Sequence, residues 1–378
     1  MLKQLTTLWP AMNKRKILLL IKVPPPITGA TLMNCRVLDS KILQNSFEFE
    51  TIGMSYAKSI NDMGTLRLEK IVLLIKYLSL LVTKLLNNKY CFVYFQISPH
   101  GSAFFRDILF VLLVKLSRIR IVYHLHGTGI KQHSKNFLYI VLYKFAFNNE
   151  SVIILSKKLS YDIEDVYKGN ALVVANGISN ISYQLNTISK INNTLKILFL
   201  SNLLLSKGIG DFLEALSILH KKNIECKAII IGAIGDINSY QLNNELNNKG
   251  LADKVEYLGP LYNSKKHEIL AEVDILIYPT KNDAFPLVLL EALQYGLPTI
   301  ATNEGAITEI IDDGMTGFII DKGQPNKIAE KVEILYNDRE LLRKMGEAGR
   351  KKFEANYSLE KFENNMAKVF QQVFDTNN

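Results

Sequence analysis

Cysteine is scarce in this chain. Only Cys35, Cys91 and Cys226 occur among 378 residues. The number is odd, the three lie far apart, and no Cys-x-x-Cys is present. That spacing excludes a disulfide framework and the common zinc motifs, and it suits a reducing compartment. A bilayer-spanning helix is missing too, because it needs about 20 uninterrupted apolar residues. The two most apolar stretches, residues 71–86 (IVLLIKYLSLLVTKLL) and 104–116 (FFRDILFVLLVKL), are shorter than that and broken by charge. Acidic residues are sparse in the first half. Residues 1–190 carry 24 Lys and Arg against 10 Asp and Glu, a net +14, whereas the remainder is −5. A basic half calls for an anionic partner. No nucleic-acid recognition motif accompanies the charge. An anionic membrane surface is a better expectation than nucleic acid, because the basic residues lie beside these apolar stretches; the stretches themselves read first as core helices of an α/β domain, with partial membrane contact as the alternative.

What is present fills two domains. A length of 378 residues exceeds one ordinary domain, and 48% hydrophobic residues can build two cores. Lys14-Arg15-Lys16 followed by Ile17 to Val23 resembles the start of a signal peptide. The apolar run is short, however, and ends in Pro24-Pro25-Pro26 without a small-residue cleavage pattern. It reads better as a first buried strand, with residues 1–11 as an extension and Met12 as an alternative start. Residues 173–178 (VVANGI) read as a strand closed by an Asn-Gly turn. The polar, Asn-rich stretch 179–194 reads as an interdomain linker. Strand–helix alternation then restarts at Lys196.

The most informative stretch runs from Asp283 to Glu291 (DAFPLVLLE), with two carboxylates eight residues apart. Pro286 suits the first helical position, and Gly296 with Pro298 suits the end, so a helix is expected over about 286–295. Its first N–H groups, near Phe285, Leu287 and Val288, form a ready anion site. Residues 274–280 (DILIYPT) and 298–302 (PTIAT) read as buried parallel strands flanking it. Ligands of open α/β sheets bind beyond such strand ends. A phosphate-binding helix end between hydroxyl-binding acids matches the needs of a nucleotide-sugar. Ahead of this lies a second unit of the same kind. The strand 196–200 (KILFL) leads into a polar loop, Ser201 to Gly210, and then a helix whose Phe212, Ala215, Leu216 and Leu219 recur at helical spacing. Lys207 can meet a diphosphate as a mobile charge, and Gly208 permits close backbone approach.

The ordered run from Asp274 to Glu309 resembles the donor-site signature of the family 4 glycosyltransferases: two acids separated by seven residues, a small-residue loop around Gly305-Ala306, then Glu. The loop carrying Lys207-Gly208 resembles the family's second signature. Two positions depart from it. Asp283 stands where the family usually has Glu, and Asn202 where it has Arg. The resemblance is dense from about 196 to 320 and sparse but ordered from 17 to 180. It implies an α/β protein of the GT-B fold, with two Rossmann-like doubly wound domains facing a central cleft. It also implies an acceptor-binding domain over 1–185, a nucleotide-sugar domain over 186–357, and a final segment, 358–378, whose helix crosses back to the first domain.

The same resemblance implies roles. Glu291 would hold ribose hydroxyls, Asp283 the sugar hydroxyls, and Lys207 with Asn202 the diphosphate, assisted by Gly208, Phe285, Pro286, Leu287 and Val288. Gly29, in the loop Ile27-Thr28-Gly29-Ala30, would approach the donor phosphate where the family has Gly-Gly. His126, at the end of the strand 119–129 and beside Gly127, would line the reacting centre. His124, two residues earlier and on the same side, reads as structural. The implied reaction is retaining transfer of a hexose-type sugar from a nucleotide-diphosphate sugar to a glycan or lipid-linked acceptor, in bacterial surface polysaccharide synthesis. It would occur in the cytoplasm, at the inner face of the cytoplasmic membrane. No Asp-x-Asp is present, so no metal or other cofactor is expected; helix dipoles and Lys207 would neutralise the leaving diphosphate. The loss of Arg and Glu at 202 and 283 keeps open a non-catalytic sugar-nucleotide-binding relative. A GT-B epimerase is a further enzyme alternative.

Overall fold

The computed structural model describes residues 15–58, 62, 67–181 and 194–376. Two units emerge. One comprises the described residues up to Ile154, then Ser160–Val174, and the chain from Glu363 onward. The other comprises Leu155–Leu159 and Ala175–Phe362. The expected boundary at 185/186, most of the expected linker and the N-terminal extension lie outside the described residues.

The first unit is built on six parallel strands: β1 (Arg15–Lys22), β2 (Phe47–Met54), β3 (Phe92–Phe95), β4 (Ile121–Leu125), β5 (Ser151–Ile154) and β6 (Leu172–Val173). Their order is β2-β1-β3-β4-β5-β6. Ile17 to Ile21 are all fully buried, as expected of a strand covered on both faces. The helices are α1 (Gly29–Asp39), α2 (Lys41–Ser46), α3 (Leu68–Asn87), α4 (Gly101–Leu116), α5 (Ile130–His133) and α6 (Phe137–Phe147). Phe370, from the chain's last helix, sets its ring edge-on to Phe47, Phe92 and Tyr94.

The second unit repeats the plan. Its strands are β7 (Leu195–Leu200), β8 (Cys226–Ile231), β9 (Val255–Tyr257), β10 (Ile275–Tyr278), β11 (Thr299–Thr302) and β12 (Gly317–Ile320). They are parallel and ordered β12-β11-β10-β7-β8-β9. Its helices are α7 (Ile209–Lys221), α8 (Ser239–Asn248), α9 (Asn263–Glu272), α10 (Leu287–Gln294), α11 (Ile307–Ile310), α12 (Pro325–Asn337) and α13 (Arg339–Asn356); α14 (Leu359–Thr376) ends the chain. The expected α/β class and the two doubly wound parallel sheets are therefore present. Strand order reverses between β1 and β3 in one sheet and between β7 and β10 in the other. A crevice opens at such a switch point, outside the carboxyl ends of the strands.

The two apolar stretches are α3 and α4, and each keeps an apolar face in solvent. In α3 only Leu81 is fully buried. In α4, Phe104, Phe110, Val111 and Val114 are buried, but Phe105, Leu109, Leu112 and Leu116 are exposed. Helix α6 adds exposed Phe137, Leu138, Val141 and Phe145. Among the described residues no helix is long and apolar enough to cross a membrane.

Candidate functional site

In the second unit the loops after β7 and β10 meet at the switch point. The chain leaves β7 at Ser201, makes a short turn over Leu205–Lys207 and enters α7 through Gly208. Gly208 has φ +79°, and a Cβ there would lie 2.0 Å from the Pro279 carbonyl oxygen. Only glycine fits, so the Lys207 loop is pressed directly against the loop after β10. Lys207 Nζ then donates to Asp283 Oδ2 at 2.6 Å and to the Asn282 carbonyl at 3.0 Å. Tyr278, the last residue of β10, donates its hydroxyl to the same Asp283 oxygen at 2.7 Å. Burial, then the Asp283 charge, holds that hydroxyl well above the ordinary tyrosine range, so it stays a donor. Gly305, at φ +50°, lets the loop after β11 cross within contact of the Asp283 backbone.

Helix α10 opens beside this cluster. It starts at Leu287 rather than at Pro286. Pro286 is the N-cap, with ψ 118°, because that extended backbone cannot belong to the first turn. The Leu289 N–H already donates to the Pro286 carbonyl at 3.2 Å, so the N–H groups left at this helix end are those of Leu287 and Val288. Phe285 differs from expectation more sharply. It is 6% exposed and packs edge-on against Tyr357, so its side chain serves the core and only its backbone faces the loop. Glu291, one turn into α10, pairs with Lys266 of α9 at 2.5 Å. Asn202 accepts from the Ala233 N–H at 3.0 Å. Its oxygen thus ties the loops after β7 and β8 together, and Nδ2 is the part left for an anion. Tyr278 and Lys266 were not singled out from the sequence. Tyr278 ends a recognisable strand; Lys266 carries no local signal.

The first unit gathers its own set. His124, the next-to-last residue of β4, is fully buried, with Nδ1 2.6 Å from the Tyr94 hydroxyl. His126 follows β4, its ring centroid 4.1 Å from that of His124. Its Nε2 is buried and has no partner. Burial, then the Lys22 charge, push the His126 imidazole down to about 3. It is therefore neutral at physiological pH and works as a hydrogen-bonding group, not as a cation. Gly29 is the first residue of α1, inside the capping box formed by Thr28 and Thr31; it stands in a helical turn instead of the expected glycine loop. Among the described residues no three His, Cys, Asp or Glu side chains gather as a metal site.

Residues 185–352 match the family model of glycosyl transferases group 1. The matched stretch holds every loop of the Lys207–Asp283 cluster. Among curated proteins, the chain is 31% identical over 156 residues to the D-inositol 3-phosphate glycosyltransferase of Paenarthrobacter aurescens, covering 41% of this chain and 38% of that protein. It is 29% identical over 251 residues to the capsular polysaccharide biosynthesis glycosyltransferase CapM of Staphylococcus aureus, covering 59% and 63%. The matched stretch thus spans less than two thirds of either relative. Among solved structures, Anabaena HepE in complex with UDP superposes with a TM-score of 0.71 at 16% identity, covering 95% of this chain and all of the other. That likeness concerns the fold, two Rossmann-like parallel-sheet domains of the GT-B kind.

Proposed function

We propose that the protein is a retaining glycosyltransferase that moves a hexose-type sugar from a nucleotide-diphosphate sugar to a glycan or lipid-linked acceptor. The observation that carries this reading is the Lys207–Asp283–Tyr278 cluster at the switch point of the second sheet, beside the open N-terminus of α10. In this reading a donor diphosphate draws Lys207 away from Asp283 and lies on the Leu287 and Val288 N–H groups. Asp283, held by Tyr278, then turns its free oxygen to a sugar hydroxyl. Glu291 takes the ribose, steadied by Lys266. The leaving diphosphate is neutralised by Lys207, Asn202 Nδ2 and the helix end, without metal. His126 offers a neutral hydrogen bond near the acceptor. The capsular relative and the UDP-bound neighbour support a nucleotide-sugar donor and a role in bacterial surface polysaccharide synthesis.

The basic first half and the apolar faces of α3, α4 and α6 support a place in the cytoplasm, on the inner surface of the cytoplasmic membrane. A panel of nucleotide-sugars, each followed for release of free nucleoside diphosphate, tests the enzyme reading. Turnover with one of them, persisting in EDTA, is expected; no turnover with any of them, although nucleotide binds, would favour the second reading. That reading is a non-catalytic nucleotide-sugar-binding relative. It is favoured by one observation, the use of Asn202 as a strut to Ala233 where a free charge would serve a diphosphate better.

A further inference from the structure

The crevice at the switch point of the first sheet is a cavity of about 390 Å³. Loops after β1, β2, β3 and β4 border it, and His126 lies on its wall. Its composition is divided. Met54, Tyr56, Ile71, Leu74, Ile97 and Ala103 give it an apolar body. Lys22, Arg67, Lys70 and Arg106 line it, and among the described lining residues there is no Asp or Glu. Two acids stand behind them. Asp107, fully buried, serves both Lys22 and Arg106. Asp62 serves both Lys70 and Arg67. Four cations on two carboxylates leave a surplus of two positive charges facing the cavity. The first turn of α4, at Ser102 and Ala103, opens on the same space and adds its positive end. His126 Nε2 is a buried polar atom there that a ligand's polar end would satisfy.

The cavity also has an apolar exit. Leu68, Ile71, Val72 and Ile75 follow one another at i, i+3, i+4 and i+7 along α3, on one helix face. They are 75%, 50%, 60% and 60% exposed. Ile71 belongs to both the stripe and the cavity wall. A ligand can therefore place an anionic group among the four cations and run an apolar chain out along α3.

Resting on the glycosyltransferase reading, we infer that the acceptor is an amphiphile, a long-chain lipid joined through phosphate or diphosphate to the group that receives the sugar. A plain glycan would leave the apolar body and stripe unused; a free anion would leave the chain path unused.

The test is calorimetric titration of the full-length protein with farnesyl diphosphate below its micelle concentration, beside farnesol and inorganic pyrophosphate. Farnesyl diphosphate is expected to bind at least tenfold more tightly than either fragment. Ile71→Asn, an uncharged change at a half-exposed position, should weaken farnesyl diphosphate at least tenfold and leave pyrophosphate unchanged. Arg67→Ala should weaken both. Circular dichroism checks that each variant is folded. Pyrophosphate or farnesol binding as tightly as the whole amphiphile would overturn the inference, as would indifference of farnesyl diphosphate to Ile71→Asn in the folded variant. The two readings fail separately. Sugar transfer to a soluble glycan without farnesyl diphosphate binding removes only the lipid acceptor. Binding without any nucleotide-sugar turnover removes only the enzyme.

Discussion

At the scale of single residues, the Lys207–Asp283 cluster is held by contacts that are individually testable. Lys207→Ala and Glu291→Ala should each weaken nucleoside diphosphate binding by about ten- to a hundredfold, since a charge-assisted contact is worth roughly 1.5–3 kcal/mol. Titration calorimetry on the folded variants reads this directly, and unchanged affinity in both would remove the assignment. Gly208→Ala should cost more than about 2 kcal/mol in urea unfolding, because its φ of +79° and the Pro279 carbonyl leave no room for a methyl group. Gly210→Ala, two residues on, meets nothing within 4 Å and lies inside α7. It should be neutral or stabilising by about 0.5–1 kcal/mol. Lys207, Asp283 and Glu291 were legible because each sits at a fixed place in a strand–loop–helix pattern. The strut from Asn202 was not, since its partner lies on another loop 31 residues away. The burial of the Phe285 ring was not legible either, since it depends on a distant residue, here Tyr357.

At the scale of elements, the buried strands were readable as continuous apolar runs, and the helices near β7 and β10 by their period and punctuation. The fate of the apolar helices was less so. Composition alone does not say that α4 buries one face and exposes another, and α6 escaped notice as an exposed apolar element. Edge strand β2 carries a separate device. Glu50 bonds Lys16, Lys84 and Tyr90. Those contacts, with Lys16 first, hold its carboxyl down at about 2. A carboxylate depressed in the folded state lends stability above its ordinary value near 4.5, and that stability is lost as pH falls toward 2. Unfolding midpoints should therefore drop between about pH 4.5 and 2. Glu50→Gln should be less stable at pH 7 and show a shallower acid limb. Equal acid limbs for the two proteins would contradict this account.

At the scale of the whole molecule, charge and apolar surface coincide on the first half of the chain. Basic residues near an anionic bilayer contribute about 1 kcal/mol each, screened over a Debye length. The protein is expected to co-sediment with anionic vesicles at low salt, to be released at high salt, and to ignore neutral vesicles. Indifference to both vesicle types at low salt would mean that the +14 of residues 1–190 serves another anion.

The Lys207–Asp283 pair has a bearing on selectivity. A pocket that carries its own counter-ion has no net appetite for stray monoanions, because chloride or acetate would only replace one negative partner by another. Displacing Asp283 rewards a guest that brings two or more linked charges, together with hydroxyls for the carboxylate it sets free. On the proposed reading, such a site discriminates by valence before it discriminates by shape, and among the small anions of a cell it is left to the one class of molecule that carries both.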